Sequence, residues 1–319
     1  MQSLILRRVL LSTVAVAALS GCGMRALPGA TSLEPASSKA GSLPQSSIVD
    51  YLYVANEGAT NGVSVVTFPQ GMLVATITNI GAPTGACSDP LGNVWVSAYD
   101  DSTRKYYLYK FYYGGTKPVE TIRVPGGAWG CTIDPTTGDL ATWFPDAGSA
   151  GLVDVFPRAR RGKPIVYYTK FQPVSGAFDN HHNFFADGIV NSGDFIFEEL
   201  TKGSKTFMPI RLNKPTGYPG SVQWDGKHIV VGAGFQSEGP VLYRVRISGD
   251  RATVVQSVRL QQIASPATFW IQGGQVLANR YGNTVRQIDL YDYPAGGKRL
   301  HVFSGFYKPR GMTISVQPS

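Results

Sequence analysis

From about residue 50 onward, apolar and polar positions alternate in short runs. "YLYVAN", "VSVVTF" and "VATIT" open the series; "YYLYKFYY", "VETIRV", "LVDVFP", "PIVYYT", "VLYRVRI" and "TVVQSVRL" continue it. A period of two gives a strand one buried row and one exposed row of side chains. No comparable 3.6-residue apolar period follows residue 20. The runs are separated by Gly, Pro, Asp and Asn, which mark turns. The pattern predicts many short strands and an all-β chain.

The runs also repeat. "GACSDPLGNVWVS" begins at Gly85, "GCTIDPTTGDLATW" at Gly130 and "GAFDNHHNFFADG" at Gly176. Each reads as a strand, an Asp-containing turn and a second strand. "GSVQWDGKHIVVG", "ATFWIQGGQVLAN" and "GMTISVQPS" extend the series. The turn position falls at Asp89, Asp134, Asp179, Asp225, Gln272 and Ser315, at intervals of 45, 45, 46, 47 and 43 residues. Four strands in each such interval is the size of a propeller blade. The last copy stops after one strand, whereas the chain's start supplies three strands without an inner one. The C-terminal strand is therefore expected to complete the N-terminal blade, giving a six-bladed β-propeller of four-stranded blades with no long open edge.

Composition agrees with this reading. Of 319 residues 37 are Gly and 21 Pro, 43% are apolar and 16% charged, enough for a sizeable core. The formal charge of +8 includes Arg7 and Arg8 of the leader described next, so the rest of the chain carries 8 − 2 = +6. Only "RARRGK" (158–163) is densely basic, and it reads as a solvated hairpin tip. A nucleic-acid partner would need a larger basic face with interleaved aromatics and is not expected.

The start, "MQSLILRRVLLSTVAVAALSGCG", has two arginines and then an apolar stretch, Val9 to Leu19, too short to span a bilayer. It predicts a signal peptide over residues 1–21. "LSGC", Leu19 to Cys22, resembles a bacterial lipobox, which implies a lipidated Cys22 as the first mature residue. Gly23 follows where an aspartate would imply retention in the inner membrane, so an outer-membrane location is expected in a two-membrane host. Otherwise the outer face of the cell membrane is expected. Residues 22–47 are rich in Ser, Ala, Gly and Pro and predict a flexible tether reaching on the order of 25–30 Å. Residues 48–319 form the propeller.

The repeat pattern "P-x-G-x-x-x-D-x-x-G-N-x-x-V" resembles the NHL and gluconolactonase type of six-bladed propeller, including bacterial lipoproteins of that type. Pro83, Gly85, Asp89, Gly92 and Asn93 carry the resemblance, with Gly130, Asp134 and Gly138, and Pro309 and Gly311. It implies a fold more strongly than an activity.

The repeat frame places "FDNHHNFF" at a hairpin tip, so His181 and His182 are expected in an exposed turn rather than a metal cluster. His228 falls at the same place in the next blade and His301 in an outer strand. Cys87 and Cys131 lie on inner strands of adjacent blades, offset by one residue against their turn aspartates. One strand orientation brings both thiols into the shared layer and the other sends both away. An exported chain permits a disulfide; two buried thiols are the alternative.

In propellers, the loops after the second strand of each blade surround one mouth of the channel. Here they begin near Asn56, Ser97, Trp143, Asp187, Gly232 and Asn279, with Glu57, Asp100, Asp146 and Arg280 close behind. These form the candidate ligand mouth. The resemblance to gluconolactonase-type enzymes implies a divalent metal such as Ca²⁺ in the channel, for which Asn56, Asp187 and Asn279 are the nearest candidates. "GAGFQS" (232–237) approaches a dinucleotide fingerprint, but no helix pattern follows it. No GxSxG, HExxH or CxxC motif occurs. The five tryptophans fit blade cores better than sugar platforms. The expectation is a monomeric, lipid-anchored envelope propeller without catalytic residues or cofactor, binding a protein, glycan or small molecule. The alternative is a metal-dependent lactonase or hydrolase.

Overall fold

In the computed structural model, residues 49–57, 62–146, 150–234, 240–263, 266–280 and 286–318 are described; at 234, 266, 267 and 280 only the backbone is. The leader and tether, with Cys22, lie outside the described residues, as do positions 235–237 of the Gly-rich stretch.

Six antiparallel sheets follow one another along the chain. Blade 2 shows the plan: Ala82–Ser88 is innermost, then Val94–Asp100, Lys105–Phe111 and Glu120–Val124. Blades 3, 4 and 6 repeat it with inner strands Cys131–Ile133, Gln172–Phe178 and Pro266–Gln272. Blade 1 is assembled from both ends of the chain. Pro309–Ser315 is its inner strand and pairs with Asp50–Asn56, setting Tyr51 opposite Ser315 and Val54 opposite Met312. The ring is a six-bladed β-propeller closed by the C-terminal strand.

One blade departs from the four-strand expectation. The outer strand of blade 4 is only Met208–Pro209; the chain then runs through buried Ile210 to Arg211–Leu212, which pairs in parallel with the outer strand of blade 5, Arg251–Arg259. Pro209 has no N–H to extend the blade 4 ladder, and Ile210 anchors the crossing in the core between the two blades.

The core is divided into six clusters, each shared by two adjacent blades, the last joining blade 6 to blade 1. A blade buries its faces only against neighbours, so an open array would expose two apolar faces and closure removes both. Every blade and cluster lies within residues 50–315.

The repeated residues have local reasons. Asp89, Asp134, Asp179 and Asp225 each accept backbone N–H bonds from the turn that follows, for example Leu91 and Asn93 at 2.9 Å on Asp89, the Asx-turn arrangement. Asn93 and Asn183 donate side-chain N–H to the second oxygens of Asp89 and Asp179. In three copies the opening glycine allows inner strands to touch. A Cβ on Gly85 would stand 2.7 Å from the Gly130 Cα, and one on Gly311 2.7 Å from the Gly85 Cα.

Cys87 and Cys131 form a disulfide between the inner strands of blades 2 and 3, with Cα atoms 5.6 Å apart. Of the two orientations compatible with the sequence, the structure has the one that turns both sulfurs into the shared layer, beside Trp95 and Leu140.

His181 is exposed at the tip of the blade 4 hairpin. His182 differs from the expected solvated turn residue. It is half-buried, and its Nδ1 lies 2.7 Å from Asp134 Oδ2 in blade 3 and 3.0 Å from Thr136 Oγ1. It also holds φ at +69°, the left-handed conformation that Gly92 adopts at the same place in blade 2. His228 is mostly buried; its burial, and then the charge of Arg244, push its pKa down. His301 is exposed and packs edge-on against Phe303.

Candidate binding channel

The inner strands enclose a central cavity of about 800 Å³. Each inner strand starts at the mouth and runs down to its hairpin tip, and each second strand returns to the mouth. Pro83 to Gly85, Gly130 to Thr132, Val174 to Gly176 and Pro309 to Met312 line the wall. Trp270, on the inner strand of blade 6, also lines it. Its ring packs against the cluster between blades 6 and 1 and against the one between blades 2 and 3. The indole therefore reaches across the axis and narrows the cavity to a cup. Its Nε1 is buried and has no hydrogen-bond partner among the described residues.

The rim has two unlike sides. On blades 2 and 3, Tyr99, Tyr106, Phe144 and Trp129 form an aromatic run, with successive ring centroids 4.8, 5.3 and 6.0 Å apart. Trp129 is 49% exposed. Tyr218 adds another part-exposed ring on blade 5. On blade 1 the rim is charged, with Lys308 and the Arg310–Glu57 ion pair. Lys308 and Arg286 both stand over the ring of Tyr307, at 5.8 and 5.1 Å. The cup offers flat apolar faces on one side and cations on the other.

Of the mouth residues singled out from the sequence, Glu57 and Trp143 line this cavity. Asn56, Ser97, Asp187 and Asn279 are buried in the blade walls. The inner strands bulge opposite them, at Pro309/Gly311, Pro83/Gly85, Pro173/Ser175 and Pro266/Thr268, and these side chains fill the gaps. Asn56 accepts the Tyr307 N–H at 3.1 Å. Asn279 accepts the Thr268 N–H at 2.8 Å and donates to the Pro309 carbonyl of blade 1 at 2.6 Å. Ser97 accepts from Thr84 at 2.9 Å. Trp143, beside the buried Thr142, donates to the Val174 carbonyl of blade 4 at 2.8 Å. Asp100 is held by its own loop through Ser102 and Thr103, whose hydrogen bonds lower its pKa. Asp146 is exposed at the mouth side. The side chain of Arg280 lies outside the described residues.

Asp187 is the exception in this buried set. Both carboxyl oxygens lack a hydrogen-bond partner. Burial pushes its pKa up to about 8; the backbone amides of Ser221, Ser175 and Gly220 approach it and offset part of that rise without closing a bond. Asp154, on the third strand of blade 3, is also buried and unpaired, and burial pushes it up to about 6. Asn56, Asp187 and Asn279 do not fit a channel cation, since both amide oxygens already accept backbone N–H groups and Asp187 is sealed in the wall. Among the described residues, no three His, Cys, Asp or Glu side chains are grouped as a metal site.

Most of the mouth residues read from the sequence lie in the blade walls rather than on the cavity surface. Trp129, Lys308 and Arg310 were legible only as neighbours of the repeat Pro and Gly, where the chain enters each inner strand.

No family model matches this chain, and no curated protein does. Solved structures do resemble it. A chain from the crystal structure of a nidogen/laminin complex superposes with a TM-score of 0.63 at 11% identity, covering 85% of this chain and 100% of that one. A protein of unknown function from Bacteroides caccae superposes with a TM-score of 0.58 at 12% identity, covering 84% and 99%. At these identities the likeness is one of fold, and it identifies the chain as a β-propeller.

Proposed function

We propose that this protein is a lipid-anchored component of the bacterial cell envelope that captures a ligand in its channel mouth and carries out no chemistry. The lipobox-like "LSGC" and the Ser/Pro-rich stretch after it support the anchor and tether. The Cys87–Cys131 disulfide supports export, because such bonds persist in oxidising compartments. The NHL-type repeat resemblance supports a binding role of the kind propellers serve.

One observation carries the binding reading: a cavity of about 800 Å³ with exposed Trp129 and Tyr218 at its rim. That volume suits a small molecule or the end of a glycan or peptide. Exposed aromatic rings are groups that a ligand would cover. A ligand with a flat apolar or sugar face fits best.

Native mass spectrometry of the protein isolated from envelope extract tests this reading. A retained or re-bindable ligand is expected, lost in Trp129→Ala while that variant keeps its fold by circular dichroism. Capture that Trp129→Ala leaves unchanged would refute the channel as the site.

A further inference from the structure

The two ends of the propeller differ in what they expose, and the chain leaves from only one of them. Val49, the first described residue, precedes the strand Asp50–Asn56, whose far end reaches the channel mouth. Val49 therefore lies on the opposite face, among the hairpin tips, where its carbonyl accepts a hydrogen bond from Tyr113. The tether of residues 22–47 joins the propeller on this face.

On that same face the loops of blades 3 and 4 expose Arg158, Arg160, Arg161, Lys163, Lys202 and Lys205. The acidic groups nearby are set back. Asp134 and Asp179 are buried in their own turns, Asp139 binds the Arg158 N–H, and Glu120 is partly buried 3.8 Å from Arg161. Around Val49, the turns of blades 1 and 2 expose Met72, Leu91 and Tyr112, each by more than half. The mouth-side loops instead mix charges of both signs, exposing Asp101, Asp146 and Asp194 beside Arg104, Lys170, Arg286 and Arg310. Protruding cations, exposed apolar tips and the tether's point of attachment share one face.

We propose that this face seats on an anionic phospholipid surface, with the six basic side chains at the headgroup phosphates and Met72, Leu91 and Tyr112 in the interfacial layer. A basic, apolar-tipped face beside a lipid anchor adds to the hold on an anionic surface and fixes the orientation of the domain. Seating on this face turns the channel mouth away from the bilayer, towards whatever it captures. The inference rests on the lipid-anchor reading for its biological setting, but the face's own affinity is separable from the lipid.

The test uses residues 23–319, which lack Cys22 and hence any lipid but keep every blade and every inter-blade cluster. Co-sedimentation is measured with vesicles of phosphatidylglycerol and phosphatidylcholine, and with phosphatidylcholine alone. Binding to the anionic vesicles only, abolished by high salt, is expected. Replacing Arg158, Arg160 and Arg161 with Gln removes three surface cations at ~1 kcal/mol each, an affinity loss of ~100-fold. Leu91→Ser is expected to weaken binding without changing its salt dependence. Equal binding to both vesicles, no binding to either at low salt, or an unchanged triple variant that is folded by circular dichroism overturns the proposal. The mass of Cys22 in membrane-extracted protein reads the anchor separately, so either reading can fail alone.

Discussion

Asp187→Asn is expected to make the protein more stable at neutral pH. The carboxyl is fully buried without a partner, and burial pushes its pKa from 3.8 up to about 8. Between those two values the folded chain holds a proton that the unfolded chain has released. Stability therefore falls as pH rises through that window and levels off above it. One pKa unit corresponds to 1.36 kcal/mol, so at pH 7 the acid costs roughly 4 kcal/mol. The amide carries no charge but leaves buried polar atoms unpaired, at about 1–3 kcal/mol. The net gain at pH 7 is then about 1–3 kcal/mol. Asn56 and Asn279 show that an amide is accommodated at the matching place in blades 1 and 6. Urea unfolding of wild type and variant from pH 5 to 9, with EDTA present, measures the difference. The variant's advantage should grow by about 1.4 kcal/mol per pH unit up to about pH 8 and then stay constant. A difference independent of pH would refute the burial argument.

Two further outcomes follow from the interfaces between blades. Replacing Cys87 and Cys131 with Ser opens a loop spanning 44 residues, which chain entropy values at roughly 4 kcal/mol; the denaturant midpoint should fall accordingly, and unchanged stability would contradict it. His182→Ala loses the bond to Asp134 while keeping a left-handed residue, so it should cost about 1–3 kcal/mol, and His182→Gly should recover about 1 kcal/mol of that. Burial alone would raise the Asp134 pKa, but hydrogen bonds from His182 and Thr136 outweigh it and the net shift is downward. That contribution is present above the ordinary carboxylate value and is lost as pH falls through the lowered one, so the His182→Ala deficit, followed by urea unfolding, should shrink in acid.

The ring was legible because its periodic features are local. An aspartate that caps its own turn recurs in blades 2 to 5, and Gly85, Gly130 and Gly311 recur because neighbouring inner strands touch there. The broken last copy and the three-strand start identified the closing blade for the same reason. The channel was less legible. Asn56, Ser97, Asp187 and Asn279 lie on the mouth-bound course of their second strands, which reads as solvated. The inner-strand bulges opposite draw them inward, and a bulge depends on pairing between strands. His182 likewise found its partner 48 residues away, in the preceding blade's turn. The role of Trp270 depends on the ring's diameter, which no single repeat encodes.

Hydrogen exchange of the last strand tests the central claim most directly. If Pro309–Ser315 is the inner strand of blade 1, its amides should exchange as slowly as those of Asp50–Asn56, both through global unfolding. Rapid exchange of Pro309–Ser315 beside a protected Asp50–Asn56 would show an open array, and the channel, its rim and the tethered face would lose their basis.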